Sequence, residues 1–217
     1  MLRPDFRGHG TAQRTPGAYL LEDYVEDVLG LLRTVGPAIL VGHSLGGVAA
    51  WSAAQRVPEL VGGAFLEDPP LYFDGDAYST EHFRQLQALA TEWQATGVSV
   101  DVAAAQLAAE PDGPLQTQDA LAARAYSLLH LDASVLDTVI SGELLAGADV
   151  STPVPVPVRV LAAGEQPAFA RGDEERLAET HPGVQVDRLE RAGHSIHDER
   201  AHRDEYFARV SAFVAGV

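Results

Sequence analysis

Four strand candidates punctuate the chain, two of them short apolar runs, and between them the apolar positions recur at helical spacing. Residues 38–42, Ala-Ile-Leu-Val-Gly, follow Pro37 and read as a strand buried on both faces. Residues 61–67, Val-Gly-Gly-Ala-Phe-Leu-Glu, form a second such run, stopped by Asp68-Pro69-Pro70. Two more strands are expected at 157–163 and 184–189. Ahead of the first run, residues 20–34 place Leu21, Tyr24, Val25, Val28, Leu31 and Leu32 on one helical stripe. Helices are also expected over the Ala-rich stretch 45–57, over 172–180 and over 200–215.

The alternation lapses in the middle. From about 76 to 150 the pattern is helical throughout, with segments near 80–95, 99–109, 117–130 and 133–146 separated by Gly and Pro breaks. Strand–helix alternation interrupted by a helical block implies an α/β protein with a mostly parallel, doubly wound sheet. The expected organisation is a core of residues 1–75 and 151–217 and a helical cap of residues 76–150. The Pro-rich stretch Thr152–Pro157 reads as a stiff lead-in to the third strand. Such sheets bind ligands beyond the carboxyl ends of their strands, so functional residues should follow strands directly.

Composition narrows the chemistry. The 217 residues contain no cysteine, which excludes disulfides, thiolate metal sites and a cysteine nucleophile. All 15 basic residues are arginine, so Schiff-base and Ser-Lys mechanisms are excluded as well. A formal charge of -16 argues against nucleic-acid partners and anionic membrane surfaces. No apolar run approaches the roughly 20 residues of a membrane span, and the start Met1-Leu2-Arg3-Pro4-Asp5 is not a signal peptide. A cytoplasmic protein is expected.

One motif follows its strand as the rule requires. Gly42-His43-Ser44-Leu45-Gly46 closes the run 38–42 and opens the helix 45–57. A serine on a strained strand-to-helix turn exposes its Oγ, and glycines two residues to either side relieve collisions between strand and helix. The helix N-terminus aims amide groups at a developing oxyanion, and the Leu45 N–H is the expected first donor. A structural serine in a glycine-rich turn is the plain alternative.

Three blocks resemble the α/β-hydrolase superfamily, in its cap-bearing esterase and lactonase branch. Asp5-Phe6-Arg7-Gly8-His9-Gly10 is similar to the turn after the fourth strand, Val41–Gly47 to the nucleophile elbow, and Ala192-Gly193-His194-Ser195-Ile196-His197 to the histidine loop after the last strand. The resemblance implies Ser44 as nucleophile and His194 as general base. His43 then packs structurally, and His82, His130, His181 and His202 read as surface or cap residues. His197, Asp198, Glu199 and His202 lack metal-binding spacing, and neither metal nor cofactor is expected. The family's usual acid position, a Gly-x-x-Asp after the strand 157–163, holds Gly164-Glu165-Gln166-Pro167 instead. Some members carry the acid after the strand that follows the elbow helix. This makes Asp68 the preferred candidate, with Glu165, Glu67 and Asp173 as alternatives.

The family's three N-terminal strands and the loop giving a second oxyanion donor have no counterpart ahead of Asp5, which implies an N-terminally truncated hydrolase fold. A displaced start, a sheet edge completed in a homodimer, and a fold that has lost catalysis are the three explanations. The expected function is hydrolysis of a small-molecule carboxylic ester or lactone through an acyl-enzyme on Ser44, as in a carboxylesterase. Phe83, Leu86, Leu89, Trp93, Tyr126, Leu128 and Leu129 are candidate pocket liners. The rivals are amide or C–C hydrolysis on the same triad and a non-catalytic binding protein.

Overall fold

The computed structural model of the chain describes residues 1–72 and 80–217. The boundary expected at residues 75 and 76 lies outside them. The chain forms two compact units, one of residues 21–72 and 147–217 and one of residues 1–20 and 80–146.

The first unit is built on a four-stranded sheet with strand order β1-β2-β3-β4. Its strands are β1 (Ala38–His43), β2 (Val61–Glu67), β3 (Val158–Ala163) and β4 (Gln185–Leu189), each parallel to its neighbour. Helices α1 (Leu21–Val35), α2 (Leu45–Arg56), α7 (Asp173–Thr180) and α8 (Arg203–Gly216) flank it. A parallel sheet needs a crossover between successive strands, and α2 and α7 supply two of them. The sheet is the α/β architecture that the sequence pattern implies.

Burial follows position in the sheet. Strands β2 and β3, inside it, are buried at almost every residue. Strand β1 lies at an edge and is only partly covered, with Val41 46% exposed, although its apolar run reads as buried on both faces. In α1 the buried stripe is Leu21, Tyr24, Val25, Leu29 and Leu32; Val28 and Leu31 sit at its margins. Phe65, Leu161, Ala192, Ile196 and Tyr206 form one core cluster between the sheet, the loop after β4 and α8.

His181 is a correction to its sequence reading as a surface or cap residue. It is 5% exposed, its ring stands edge-on to Trp51 at 4.9 Å, and its Nε2 lies 3.1 Å from the Thr152 carbonyl. Trp51 Nε1 donates to the Asp149 carbonyl, so the two rings together anchor the lead-in to β3.

The second unit holds α3 (Thr80–Thr96), α4 (Val100–Ala108), α5 (Gln118–His130) and α6 (Val135–Ile140). Its core is Ala90, Trp93, Ala103, Leu107, Leu121, Ala125 and Leu128, with Leu86, Leu89 and Leu129 packed against it. Most of the candidate pocket liners are therefore core side chains of this unit, while Tyr126 is exposed and stacks on His130 at 4.0 Å. Helix α6 ends at Ile140, short of the expected 146, because Gly142 turns the backbone to a φ of 76°. Residues 1–20 join this unit through hydrogen bonds: Asp132 N–H donates to the Gly8 carbonyl at 2.7 Å, and Tyr19 OH donates to Asp132 at 2.7 Å. Among the described residues, no helix is long and apolar enough to cross a membrane.

Candidate active site

The residues singled out by their chemistry sit at the carboxyl ends of the strands. Ser44 follows β1 and caps α2 with a backbone of φ 50° and ψ −119°, a region that a serine enters only under constraint. The constraint is visible. Ser44 N–H donates to the Glu67 carbonyl at 2.9 Å, and the Ser44 carbonyl accepts from Gly47 and Val48 at 2.9 and 3.1 Å. The turn closes so tightly that a Cβ on residue 42 would stand 2.3 Å from the Gly46 carbonyl oxygen and 2.7 Å from the Gly47 nitrogen. Glycine at position 42 is a steric requirement. Leu45 opens α2, where the first amide groups lack intrahelical acceptors and point out of the helix end.

Asp68 follows β2 and is fully buried, with a φ of 42°. Four donors converge on its carboxylate. Ala163 and Phe169 N–H donate to Oδ1 at 3.0 and 3.3 Å; Ala168 N–H and His194 Nδ1 donate to Oδ2 at 2.7 and 2.6 Å. Burial would raise the pKa of this carboxyl, but the His194 hydrogen bond and the amides of Ala168 and Ala163 outweigh it and hold it below the ordinary value. Because a carboxylate only accepts, His194 carries its proton on Nδ1, which leaves Nε2 as an acceptor in the neutral ring. The His194 side chain keeps 27% of its surface exposed while Asp68 has none.

The alternative acids have other partners. Glu165 is exposed on the loop after β3, and that loop gives Asp68 its amides instead of a carboxylate. Arg188 holds the loop in place, donating to the carbonyls of Ala163, Phe169 and Ala170 and pairing with Glu174. Asp173 accepts from the Ala170 N–H at the start of α7.

Glu67 forms a second arrangement beside the first. Its Oε1 accepts from the His197 N–H at 3.0 Å, and its two oxygens lie 2.9 and 2.8 Å from His197 Nδ1. Sequence reasoning treated Glu67 only as a substitute acid and His197 only as a rejected metal ligand. The signal was present as a pattern: consecutive carboxylates at 67 and 68, and histidines three apart at 194 and 197. Among the described residues, no three His, Asp or Glu side chains are grouped to hold a metal ion.

A buried carboxylate at one strand end on Nδ1 of a partly exposed imidazole in the loop after β4, with a serine in a strained turn at the end of the neighbouring strand β1, is an arrangement suited to nucleophilic acyl transfer. The model of the alpha/beta hydrolase family matches residues 1–209, and the chain belongs to that family. The 2-(acetamidomethylene)succinate hydrolase of Mesorhizobium japonicum is 41% identical to it over 75 residues, a stretch covering 34% of this chain and only 27% of that protein. The N-formylmaleamic acid deformylase of Pseudomonas putida S16 superposes with a TM-score of 0.76 at 19% identity, covering 95% of this chain and 79% of its own. The enol-lactonase of Burkholderia xenovorans LB400 gives 0.68 at 22%, covering 97% and 79%. At these identities the superpositions establish a shared fold.

Proposed function

We propose that the protein is a serine hydrolase that cleaves a small-molecule carboxylic ester or lactone through an acyl-enzyme on Ser44. The observation that carries this reading is the 2.6 Å contact of the buried Asp68 carboxylate with His194 Nδ1, on the strand-end side that also presents Ser44. Asp68 fixes the Nδ1–H tautomer and stabilises the imidazolium that forms. His194 Nε2 takes the Ser44 proton as Oγ attacks the carbonyl carbon, and the carbonyl π electrons move onto oxygen. The Leu45 N–H at the start of α2 stabilises that oxyanion. Collapse of the tetrahedral species breaks the bond to the alcohol, which leaves with the proton from His194. Water, deprotonated by His194, then repeats the sequence on the acyl-enzyme and frees Ser44 and the acid.

Amide cleavage on the same groups is a second reading. It is favoured by the 41% identity to a hydrolase whose name specifies an acetamido compound. It differs only in the leaving group, an amine that must accept the His194 proton before the C–N bond breaks.

Turnover of matched p-nitrophenyl ester, lactone and anilide substrates separates the readings. The proposal expects ester or lactone turnover that disappears in Ser44→Ala. Anilide turnover that exceeds ester turnover moves the assignment to amides, and a Ser44→Ala variant as active as its parent overturns both.

A further inference from the structure

The second carboxylate–imidazole arrangement has a direct route to the first. His43 and Glu67 are register partners at the ends of β1 and β2. The His43 ring packs against both other imidazoles, 4.5 Å from His194 and 5.2 Å from His197 between centroids. Its Nε2 is 3.0 Å from the His194 carbonyl, which can only accept, so His43 donates from Nε2. Burial holds His43 at a pKa of about 4, neutral at physiological pH and so a fixed donor. His43 therefore ties the residue before Ser44 to the backbone of His194.

His197 has a carboxylate at each ring nitrogen: Glu67 at Nδ1, 2.8 Å away, and Asp198 at Nε2, 3.5 Å away. The Glu67 carboxylate only accepts, so His197 donates to it from Nδ1, and Asp198 lies on the side of Nε2 where it favours the protonated ring. Burial opposes that charge, but the hydrogen bond and charge of Glu67 outweigh it and hold the His197 pKa above the ordinary value. The Tyr206 hydroxyl of α8 hydrogen-bonds Glu67, and its ring lies 5.7 Å from that of His197. Among the described residues, Arg203, which disfavours the protonated His197, and Glu199, which interacts with Glu67 and His202, also face the pair.

We propose that Glu67, His197 and His43 are positioning residues for the base. Glu67 grips the turn after His194 by the backbone and ring of His197, His43 holds the His194 carbonyl, and together they set the His194 ring against Asp68. This inference rests on the assignment of His194 and Asp68 as base and acid.

The test uses the full chain labelled with ¹⁵N-histidine, as wild type, Glu67→Gln, His197→Gln and the double variant. The wild type should show a strongly downfield Nδ1 proton on His194 and a His197 whose pKa lies above the ordinary histidine value. Glu67→Gln should shift or broaden the His194 resonance, lower the His197 pKa, and lower kcat about 10- to 100-fold with KM nearly unchanged. The pH profile of kcat should move with it, which a purely structural loss would not do. If Glu67→Gln does not fold, the double variant, which removes the Glu67 and His197 charges together, carries the same comparison. A folded variant with an unchanged His194 proton and unchanged kcat overturns the positioning role. A wild type without the downfield proton and without turnover overturns the base assignment itself, so the two failures are distinct.

Discussion

Replacing Asp68 with asparagine isolates the charge from the shape. The backbone at this position has a φ of 42°, and asparagine tolerates the left-handed region as well as aspartate does, so the turn itself should survive. The hydrogen bonding cannot. The aspartate accepts from Ala163 and Phe169 on one oxygen and from Ala168 and His194 on the other. An asparagine offers one accepting oxygen and one NH₂, so whichever way it turns, one pair of donors meets a donor. With its NH₂ toward His194, the imidazole must move its proton to Nε2 and can no longer accept from Ser44. Loss of the correct tautomer in such a triad costs about 10⁴-fold in kcat, or about 5.4 kcal/mol of transition-state stabilisation. The fold loses a buried charge-assisted hydrogen bond and leaves amides unsatisfied, about 2–4 kcal/mol together. Steady-state turnover of an ester substrate and urea unfolding of Asp68→Asn read the two losses separately. Glu165→Gln, on an exposed side chain, serves as the control and should retain activity. Near-normal turnover in Asp68→Asn together with a collapse in Glu165→Gln would refute the reasoning.

Two further outcomes follow from the same geometry. Gly42→Ala forces a methyl to within 2.3 Å of the Gly46 carbonyl oxygen; it should cost about 1–3 kcal/mol or more in unfolding measurements and reduce serine reactivity. The Glu67–His197 pair should give stability a pH window. Glu67 is held below its ordinary value of 4.5, so its contribution is present above that pH and lost as pH falls through the depressed pKa. His197 is held above its ordinary 6.5, so its contribution is complete below that pH and lost as pH rises through the elevated pKa. Unfolding free energy across pH should therefore be highest between the two ordinary values and should flatten at both flanks in the Glu67→Gln/His197→Gln double variant.

The sheet was legible in the sequence because predominantly apolar runs such as 61–67 and 157–163 admit few readings beside a buried parallel strand. Helix ends and strand ends shifted by one or a few residues where local turns decide them, as at Gly142. The elbow was legible for a steric reason: the spacing of Gly42 and Ser44 is dictated by the backbone contact with Gly46 and Gly47. Less could be read where partners lie far apart in the chain. Asp68 and His194 are separated by 126 residues, and the amide cradle comes from a loop whose own carboxylate, Glu165, matched the expected position more closely. The link from Glu67 through His43 depends on the register of β1 against β2, which apolar periodicity does not encode.

The central claim is that Ser44 is an activated nucleophile. Labelling the folded chain with a fluorophosphonate and locating the adduct by peptide mass spectrometry tests it directly. Stoichiometric phosphonylation of Ser44, abolished in Ser44→Ala and strongly slowed in His194→Gln, is the predicted result. A folded chain in which Ser44 stays unlabelled, or labels at the same rate without His194, would contradict it.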